Sequence, residues 1–388
     1  MTTDRTPVLV SMARTPVGKL GGALAHLSAI DLGAAAVRSA LEPFGDQISI
    51  DHTFLGNVVQ AGNGQNPARI AAIRGGVPTT VPGTTINDVC LASLTATGLA
   101  ASLIRAGEIG TALVGGFESM SRAPHGVQVR AAAKVGNGTL TDLLTKDGLW
   151  CAVADSGMGE ISDQANHEHG ITRPDQDEFA YSSHRKATSA TESGRLKQEI
   201  SALTEILDAD EGIRPWSTLG KLASLNPAFS RSGSITAGNA SQMSDAGAAG
   251  VLMSRDKANA LGLKPEIEVL DRAVVAGPDP SLHLKPAAAA RLLLARNGLG
   301  IDDIGLWEIN EAFAGVVLAS SRSLGLNPNS VNVNGGAIAL GHPLAASGFR
   351  MLITLAAEMR FKQVEFGIAT ICGGGGQGQA MLLRLPAE

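Results

Sequence analysis

The chain has 388 residues, of which 44% are apolar and only 17% are charged, against a charged share of about 25% in typical soluble domains. This length allows two or three structural units, and the low charge indicates much buried surface, in the chain's own core or between subunits. A small disulfide scaffold and a disordered chain are excluded. The net charge of −5 makes nucleic acid a poor partner, because long contact with a polyanion needs positive charge.

The cysteines favour a reduced compartment. Cys90, Cys151 and Cys372 are far apart and odd in number, so they predict no disulfide framework. The first residues, MTTDRTPVLV, lack the apolar core and cleavage site of a secretory signal, and we expect a cytoplasmic protein. The longest uncharged run, between Arg322 and Arg350, holds several asparagines, prolines and glycines. No membrane-spanning helix is expected from it.

The order of predicted elements indicates an α/β fold, because short apolar runs ending in glycine alternate with Ala/Leu-rich stretches of helical length. In the first third, strands are predicted near residues 8–11, 53–58, 84–89 and 111–115, and helices near 29–41, 67–74 and 91–106. In the last third, strands are predicted near 267–270, 305–309, 330–334 and 367–372, and helices near 286–297, 312–323 and 345–360.

Two segments repeat one pattern, in which a turn leads into a long Ala/Leu helix and then into a strand ending in glycines. They read DVCLASLTATGLAASLIRAGEIGTALVGG and ALGHPLAASGFRMLITLAAEMRFKQVEFGIATICGGGG. This predicts a duplicated α/β unit with Cys90 and His342 at equivalent helix entrances. Residues 121 to about 242 are more polar and contain a predicted helix over 175–193, so we interpret them as a long insertion over the site.

Cys90 and His342 are candidates for a nucleophile and its base. A thiol at the N-terminus of a helix meets free N–H groups and the positive end of the helix dipole, which predicts a lowered pKa and a reactive thiolate. The competing interpretation is an inert buried cysteine. Pairing of the two repeats would bring His342 towards Cys90, as a Cys–His pair requires, although a lone histidine is often structural.

Cys372 ends a predicted strand and precedes four glycines. Such a loop allows close backbone approach and can point N–H groups at an incoming oxygen, so an oxyanion hole beside a second thiol is predicted. A phosphate-binding loop is the weaker alternative, since neither GxGxxG after the first strand nor GxxxxGK[ST] occurs. Asn310, at another strand end, could hold a water or a carbonyl oxygen, or could cap a helix. No metal-ligand spacing is present, and no metal is predicted.

Taken together, these segments resemble the thiolase family of acetyl-CoA acetyltransferases and 3-ketoacyl-CoA thiolases. The similar motifs run in order along nearly the whole chain: RTPVGKLGGAL, GQNPARIAA, GGFESMSRAP, DEFAYSSHRKA, LNPAFS, TAGNAS, NEAFA, NVNGGAIALGHP and CGGGGQG. The fold that the resemblance implies has two α/β halves stacked as five layers, α/β/α/β/α. It places residues 1–120 and 243–264 in the N-terminal half, 121–242 in a loop domain that binds coenzyme A, and 265–388 in the C-terminal half.

The resemblance also implies the roles of the site residues. Cys90 would accept the acyl group, His342 would activate it, and Cys372 would move the α-proton. Asn310 would hold a water that forms one oxyanion hole with His342, and the backbone N–H groups of Cys90 and Gly374 would form the other.

In the loop domain, the resemblance implies that Ser241 contacts pantetheine, that Arg214 contacts a phosphate and that Phe229 packs by the coenzyme. Coenzyme A is then a substrate or product, no cofactor is expected, and a homo-oligomer, dimer or tetramer, is implied. The activity would be reversible condensation of acetyl-CoA with acyl-CoA, with acetyl-CoA C-acetyltransferase as the first expectation and a longer-chain 3-ketoacyl-CoA thiolase as its alternative. Cys151 matches no family position and is expected to be structural.

The chain departs from the usual family pattern at several positions. Leu91, Ala92 and Ser93 follow Cys90 where small residues and glycine are usual, and Ala345 and Gly157 stand where glycine and histidine are common. Gln242 and Met243 replace a small and an apolar residue. Two further hypotheses remain: a decarboxylating ketoacyl synthase, against which the second cysteine argues, and a catalytically silent acyl-CoA binding protein.

Overall fold

The computed structural model describes residues 4–45, 47–130 and 137–386. The strands are β1 (Pro7–Arg14), β2 (Gly18–Lys19), β3 (His52–Gly56), β4 (Gly83–Ile86), β5 (Thr111–Ser119), β6 (His125–Gly126), β7 (Thr141–Asp142), β8 (Trp150–Cys151), β9 (Ser156–Gly157), β10 (Ser244–Ser254), β11 (Ile267–Ala276), β12 (Leu306–Ile309), β13 (Phe366–Gly373) and β14 (Gln377–Arg384). The predicted domain bounds include residues 1–3, 46, 131–136 and 387–388, which lie outside the described residues, and the division into domains stays a prediction.

The helices are α1 (Ala29–Leu41), α2 (Pro67–Arg74), α3 (Ala92–Ala106), α4 (Met158–Glu168), α5 (Arg173–Glu192), α6 (Leu219–Ala223), α7 (Arg255–Ala260), α8 (Lys285–Asn297), α9 (Ala314–Leu324), α10 (Ala337–Leu340) and α11 (Leu344–Lys362). Single helical turns of other geometry lie at Glu42–Phe44, Thr145–Leu149, Leu196–Gln198, Ile301–Asp303 and Pro328–Ser330. The long helices begin and end close to the positions that the Ala/Leu pattern predicts.

The main sheet runs in the order β12-β13-β14-β11-β1-β10-β5-β3-β4, with β2 beside β10. Among the described residues, its halves join only between β1 and β11, where Val8 pairs with Glu268 and Leu9 with Ile267. Each half keeps parallel pairs near its outer edge, namely β12 with β13 and β3 with both β4 and β5. The sheet is therefore two sheets with a narrow joint, as a duplicated unit requires.

Helices cover both halves of the sheet and fill the space between them. α11 packs on β5 and β10 of one half and on β13 of the other, and it also contacts α3. α1 packs on the outer face of the N-terminal half, against β10 and β5, and α8 packs on the outer face of the C-terminal half, against β14, β11 and β13. The α/β class and the five-layer arrangement are confirmed, with α3 and α11 as the middle layer.

The strand predicted at residues 330–334 is wrong. Asn332 has a positive φ of 50°, and its side-chain amide forms the hydrogen bonds to β12 that a neighbouring strand would otherwise form. Its Oδ1 accepts from the N–H of Ile309 at 2.7 Å, and its Nδ2 donates to the carbonyl of Ile309 at 2.8 Å. Its backbone N–H also donates to the carbonyl of Trp307 at 3.0 Å. A single turn thus satisfies the edge of β12, and no strand is needed there.

The inserted segment is tied to the sheet by a buried ion cluster. The guanidinium of Arg14 donates to both oxygens of Asp210, at 2.7 and 2.9 Å, and to Glu199 at 3.2 Å. All three side chains are buried. Since Arg14 ends β1 and Asp210 lies in the insertion, this cluster fixes the segment that leads to Arg214.

By length and composition, one helical segment, Val89–Ala106, is apolar enough to cross a membrane. It corresponds to α3 with the turn before it, and α3 packs between the two sheets. The core position of α3 accounts for its apolar composition without a membrane.

Candidate active site

Cys90 lies in a tight turn at the start of α3. The residue before it, Val89, has a positive φ of 49°, a strained conformation for a β-branched residue. The carbonyls of Asp88 and Val89 accept from the N–H groups of Leu91 and Ala92, at 3.0 and 3.1 Å, which closes the turn. The hydrogen-bonded turn therefore holds the half-buried thiol at the entrance of the helix, as the sequence predicts.

The bulk of Leu91, where the family usually has a small residue, fits because of a glycine opposite. Leu91 is fully buried, and a Cβ at Gly373 would lie 2.8 Å from its Cγ. Leu91 therefore occupies space that a side chain at Gly373 would take, and the departure leaves the position of Cys90 intact.

The predicted lowering of the Cys90 pKa is wrong for the resting site. Burial raises the pKa of the thiol to about 12, and the negative charges of Glu118 and Asp88 raise it further. The backbone N–H groups of Cys90 and Gly374 act in the opposite direction. The effect expected of the helix entrance is present, but desolvation outweighs it, so the resting thiol is protonated.

Cys372 lies at the end of β13 and is buried. Burial raises its pKa above the usual range, and a charge on Cys90 raises it further. Cys90 therefore lies close enough to Cys372 to affect the pKa of that thiol, and the N–H of Gly374 lies close enough to Cys90 to affect the pKa of its thiol. The structure brings together Cys90, Cys372 and Gly374, as the sequence predicts.

His342 lies just before α11, and its ring is held by Ser347. Nδ1 lies 2.6 Å from Ser347 Oγ, which lies 3.2 Å from the carbonyl of Pro343. We assign the ring proton to Nδ1, so that Nδ1 donates to the hydroxyl and the hydroxyl donates to the carbonyl. Nε2 is buried and has no partner among the described residues. Burial, together with the charge of Arg350, lowers the pKa of His342 to about 4, so the ring is neutral with a free Nε2 lone pair.

Asn310 follows β12, next to the end of β13 that carries Cys372. Its backbone N–H donates to the carbonyl of Thr370 at 2.9 Å. Its side-chain amide is buried, and both polar atoms lack a partner within the part of the chain that the structure describes. An unpaired buried amide costs free energy, so this group is poised to hold a water or a substrate oxygen.

A mostly apolar pocket of about 640 Å³ leads to His342. The predicted coenzyme contacts Arg214, Ser241 and Phe229 all line it, together with Gly157. The ring of Phe229 packs edge-on against Phe313, with centroids 6.0 Å apart. The pocket therefore brings these three residues and His342 to one cavity.

A second pocket of about 570 Å³ opens beside the nucleophile. Val89 and Gly374, which flank Cys90, line it, and it shares Trp150 and Met158 with the first pocket. Cys151 is buried and lies in its wall. Among the described residues, no group of His, Cys, Asp or Glu side chains could hold a metal ion.

Two polar residues near the site were missed from the sequence. Glu118 is buried and accepts from Asn57 and from the backbone of Val58, Val59 and Ala345. Burial raises its pKa to about 7. An acid inside the apolar run TALVGGFES is a signal of a bonded buried carboxylate. Ser347 could have been found as the hydroxyl one helical turn beyond His342.

Comparison with known proteins gives matches over nearly the whole chain. Residues 7–256 match the thiolase N-terminal domain, and residues 263–385 match the thiolase C-terminal domain. A probable acetyl-CoA acetyltransferase of Mycobacterium tuberculosis is 45% identical over 389 residues, which cover 98% of this chain and 99% of that protein. A probable acetyl-CoA acetyltransferase of Mycolicibacterium smegmatis is 44% identical over 388 residues, covering 97% and 100%. The acetyl-CoA acetyltransferase of Pseudomonas aeruginosa is 44% identical over 387 residues, covering 97% and 98%.

These matches confirm the resemblance drawn from the motifs and, at the level of the family, the prediction of a thiolase-type acyltransferase. The first matched domain ends at residue 256, in the first turn of α7, and the second begins at residue 263, just before β11. The narrow joint of the sheet pairs β1 of the first matched domain with β11 of the second. The chain belongs to the thiolase family.

Proposed function

We propose that this chain is an acetyl-CoA C-acetyltransferase, which condenses two acetyl-CoA molecules reversibly through an acetyl-cysteine intermediate. The observation that carries the proposal is the set of unpaired groups at the reaction centre. The Nε2 of His342 and the amide of Asn310 are buried without partners among the described residues, beside two protonated thiols at Cys90 and Cys372. Names of relatives that are about 44% identical support the same activity.

In the first half-reaction, Nε2 of His342 takes the proton of the Cys90 thiol as the sulfur attacks the thioester carbonyl. The C–S bond to coenzyme A then breaks, and the coenzyme thiolate leaves with the proton of the Cys372 thiol, so that Cys372 becomes a thiolate while His342 keeps the proton taken from Cys90. Negative charge develops on the carbonyl oxygen, and the backbone N–H groups of Cys90 and Gly374 stabilise it. Because the resting thiol and imidazole are both neutral, His342 must take the thiol proton for the thiolate to form.

In the second half-reaction, Cys372 as a thiolate removes a proton from the methyl group of a second acetyl-CoA. A water held by Asn310, with His342, stabilises the enolate oxygen that forms. The carbanion attacks the acetyl group on Cys90, a carbon–carbon bond forms, and the Cys90 sulfur leaves with the proton that His342 returns, so that both thiols and the imidazole regain their resting forms. The products are acetoacetyl-CoA and the free enzyme, and the reverse sequence is thiolysis.

The pocket of about 640 Å³ supports the coenzyme contacts. The guanidinium of Arg214 lines it and forms no ion pair with a described carboxylate, which leaves its charge for a phosphate. Ser241 and Phe229 line the same wall, where pantetheine would lie. Coenzyme A acts as substrate and product, and we propose no other cofactor.

The experiment that tests the function follows the two half-reactions separately. Wild-type protein incubated with acetyl-CoA should gain one acetyl group by intact mass, and Cys90→Ser should gain none. Cys372→Ala should still be acetylated at Cys90 but should lose condensation by at least about 100-fold, the low end for a removed general acid or base. Ser321→Ala removes a buried hydroxyl that lines neither pocket, and as the control it should keep both reactions.

Two results would contradict the proposal. Acetylation that persists unchanged in Cys90→Ser would place the intermediate elsewhere. Near-normal formation of acetoacetyl-CoA by Cys372→Ala would leave the glycine-rich segment with a backbone role only.

A longer-chain 3-ketoacyl-CoA thiolase is the second candidate, and the pocket of about 570 Å³ beside Val89 and Gly374 favours it. An acyl tail attached at Cys90 would point away from the coenzyme and could enter that pocket. Ala152→Trp, at an exposed position in its lining, should then reduce thiolysis of long 3-ketoacyl-CoA esters and spare acetoacetyl-CoA. A wild type that cleaves acetoacetyl-CoA but not longer 3-ketoacyl-CoA esters would favour the acetyl-specific function.

We also propose a cytoplasmic homo-oligomer, a dimer or tetramer, that acts in fatty acid metabolism. The low charged fraction of 17% supports buried contacts between subunits. Light scattering with size-exclusion chromatography tests the assembly, and a monomeric mass at micromolar concentration would contradict it.

A further inference from the structure

Gln242 lines the coenzyme pocket and forms hydrogen bonds with two other residues of the same lining, Arg214 and His342. Its Oε1 accepts from the Nη2 of Arg214 at 3.2 Å. Its backbone carbonyl accepts from the N–H of His342 at 2.8 Å. The side chain of Gln242 therefore meets a predicted coenzyme contact, and its backbone meets the catalytic histidine.

The amide nitrogen of Gln242 completes the short helix that leads to His342. Its two hydrogens are shared among three carbonyls, those of Gly212, Ile338 and Ala339, which lie 3.0, 2.9 and 3.2 Å from the nitrogen. Two of these belong to α10, whose last carbonyls have no partner within so short a helix. The glutamine amide therefore replaces the missing turn and fixes where the chain leaves α10 towards His342.

The guanidinium of Arg214 depends on the same amide. Besides Oε1 of Gln242, its one described hydrogen-bond partner is the carbonyl of Ala237, at the long distance of 3.5 Å. No described carboxylate lies within ion-pair distance of it. A neutral partner orients the guanidinium without neutralising it, so its full charge stays available to an anion in the pocket.

We propose that Gln242 is a positioning residue that couples coenzyme binding to the catalytic histidine: one end of its amide aims Arg214 at the coenzyme phosphates, and the other end holds the segment of His342. The inference rests on the proposed function, since it takes the coenzyme to be the anion that Arg214 meets. It predicts that one substitution impairs two separable properties, the affinity for phosphate-bearing ligands and the turnover number.

Calorimetric binding of free coenzyme A and of pantetheine, which lacks the phosphates, tests the first property without any need for turnover. Arg214→Ala should weaken coenzyme A binding by at least about 10-fold, and Gln242→Leu by about 3- to 10-fold. Neither should change pantetheine binding by more than about twofold. The double variant should bind coenzyme A no worse than Arg214→Ala within about twofold, because the glutamine acts through the arginine.

Turnover tests the second property. With acetoacetyl-pantetheine as substrate, kcat of Gln242→Leu should fall about 10-fold while KM stays constant, because the position of His342 is less well defined. Gln242→Glu places a negative charge beside Arg214 and loses the amide donors, so it should weaken coenzyme A binding, leave pantetheine binding unchanged and lose kcat. Gln198→Leu, the same change at an exposed surface position, is the matched control and should alter neither.

Each other outcome overturns the coupling. Losses in coenzyme affinity that add in the double variant would show that the two residues act independently. Equal weakening of pantetheine and coenzyme A by Gln242→Leu would indicate a general packing role, as would equal kcat for Gln242→Glu and the wild type. If the wild type bound coenzyme A no better than pantetheine, the protein would make no favourable contact with the phosphates, and the role of Arg214 would be wrong. Failure of the proposed function appears separately, as absence of acetylation at Cys90.

Discussion

The bond between His342 and Ser347 gives the sharpest test of the catalytic base. Ser347 is 1% exposed, and its Oγ lies 2.6 Å from Nδ1. Ser347→Ala removes the acceptor and leaves a buried ring N–H unpaired, at a cost of about 1 to 3 kcal/mol. If this cost falls on the orientation and tautomer of the ring, kcat/KM for acetoacetyl-CoA thiolysis should fall about 5- to 150-fold. Alanine is smaller than serine, so no clash is introduced.

The assay measures acetylation of Cys90 by intact mass and thiolysis by the absorbance of acetoacetyl-CoA. Both should slow, and KM for coenzyme A should stay close to its original value, because Ser347 does not line the coenzyme pocket. Ser321→Ala is the control, since that hydroxyl is also buried but has no partner among the described residues. A folded Ser347→Ala protein with kcat within twofold of wild type would refute the assigned tautomer and the role of the serine.

Three further changes test charge and stability. Asp88→Asn removes a negative charge that raises the Cys90 pKa. The pKa should therefore fall, the thiolate fraction at pH 8 should rise, and iodoacetamide should label Cys90 faster. An unchanged labelling rate would contradict this. Arg14→Ala leaves two buried carboxylates unpaired and should lower the free energy of unfolding by about 3 to 5 kcal/mol, measured by urea denaturation; a loss below about 1 kcal/mol would argue against the ion cluster. Asn332→Ala removes the bonds to β12 and should cost about 2 to 4 kcal/mol in the same assay; near-wild-type stability would show that water replaces the amide.

The sequence predicts the long helices well because their signal is local. Ala/Leu-rich runs bounded by Gly or Pro predict α1, α3 and α11 from their own sequence, without information on the segments that pack against them. β10 was missed, since SDAGAAGVLMS consists mainly of small residues, and only its position between β1 and β5 makes it a strand. Asn332 shows the opposite error: its surroundings alternate like a strand, but the side-chain amide replaces backbone pairing.

The same limit applies to the site. Positions of Cys90 and His342 follow from the repeated helix entrances, which can be read along the chain. The direction of the Cys90 pKa could not be predicted, because the helix entrance is a local feature, whereas the desolvation that dominates comes from distant segments packed over the thiol. The links made by Gln242 also join distant segments, and only the fold brings them together.

The side chain of Asn332 also affects how the molecule meets copies of itself. β12 is the last strand at its end of the sheet, and an open edge offers N–H and C=O groups on which a foreign strand can grow into an aggregate. Here the side chain of Asn332 already bonds the outward N–H and C=O groups of Ile309, and its backbone N–H bonds the carbonyl of Trp307. These groups are therefore not free to pair with a foreign strand. At the opposite border, β4 pairs only with β3 in the described sheet. Addition of a foreign strand is therefore disfavoured at the β12 border, whereas β4 keeps an edge without a partner strand among the described residues.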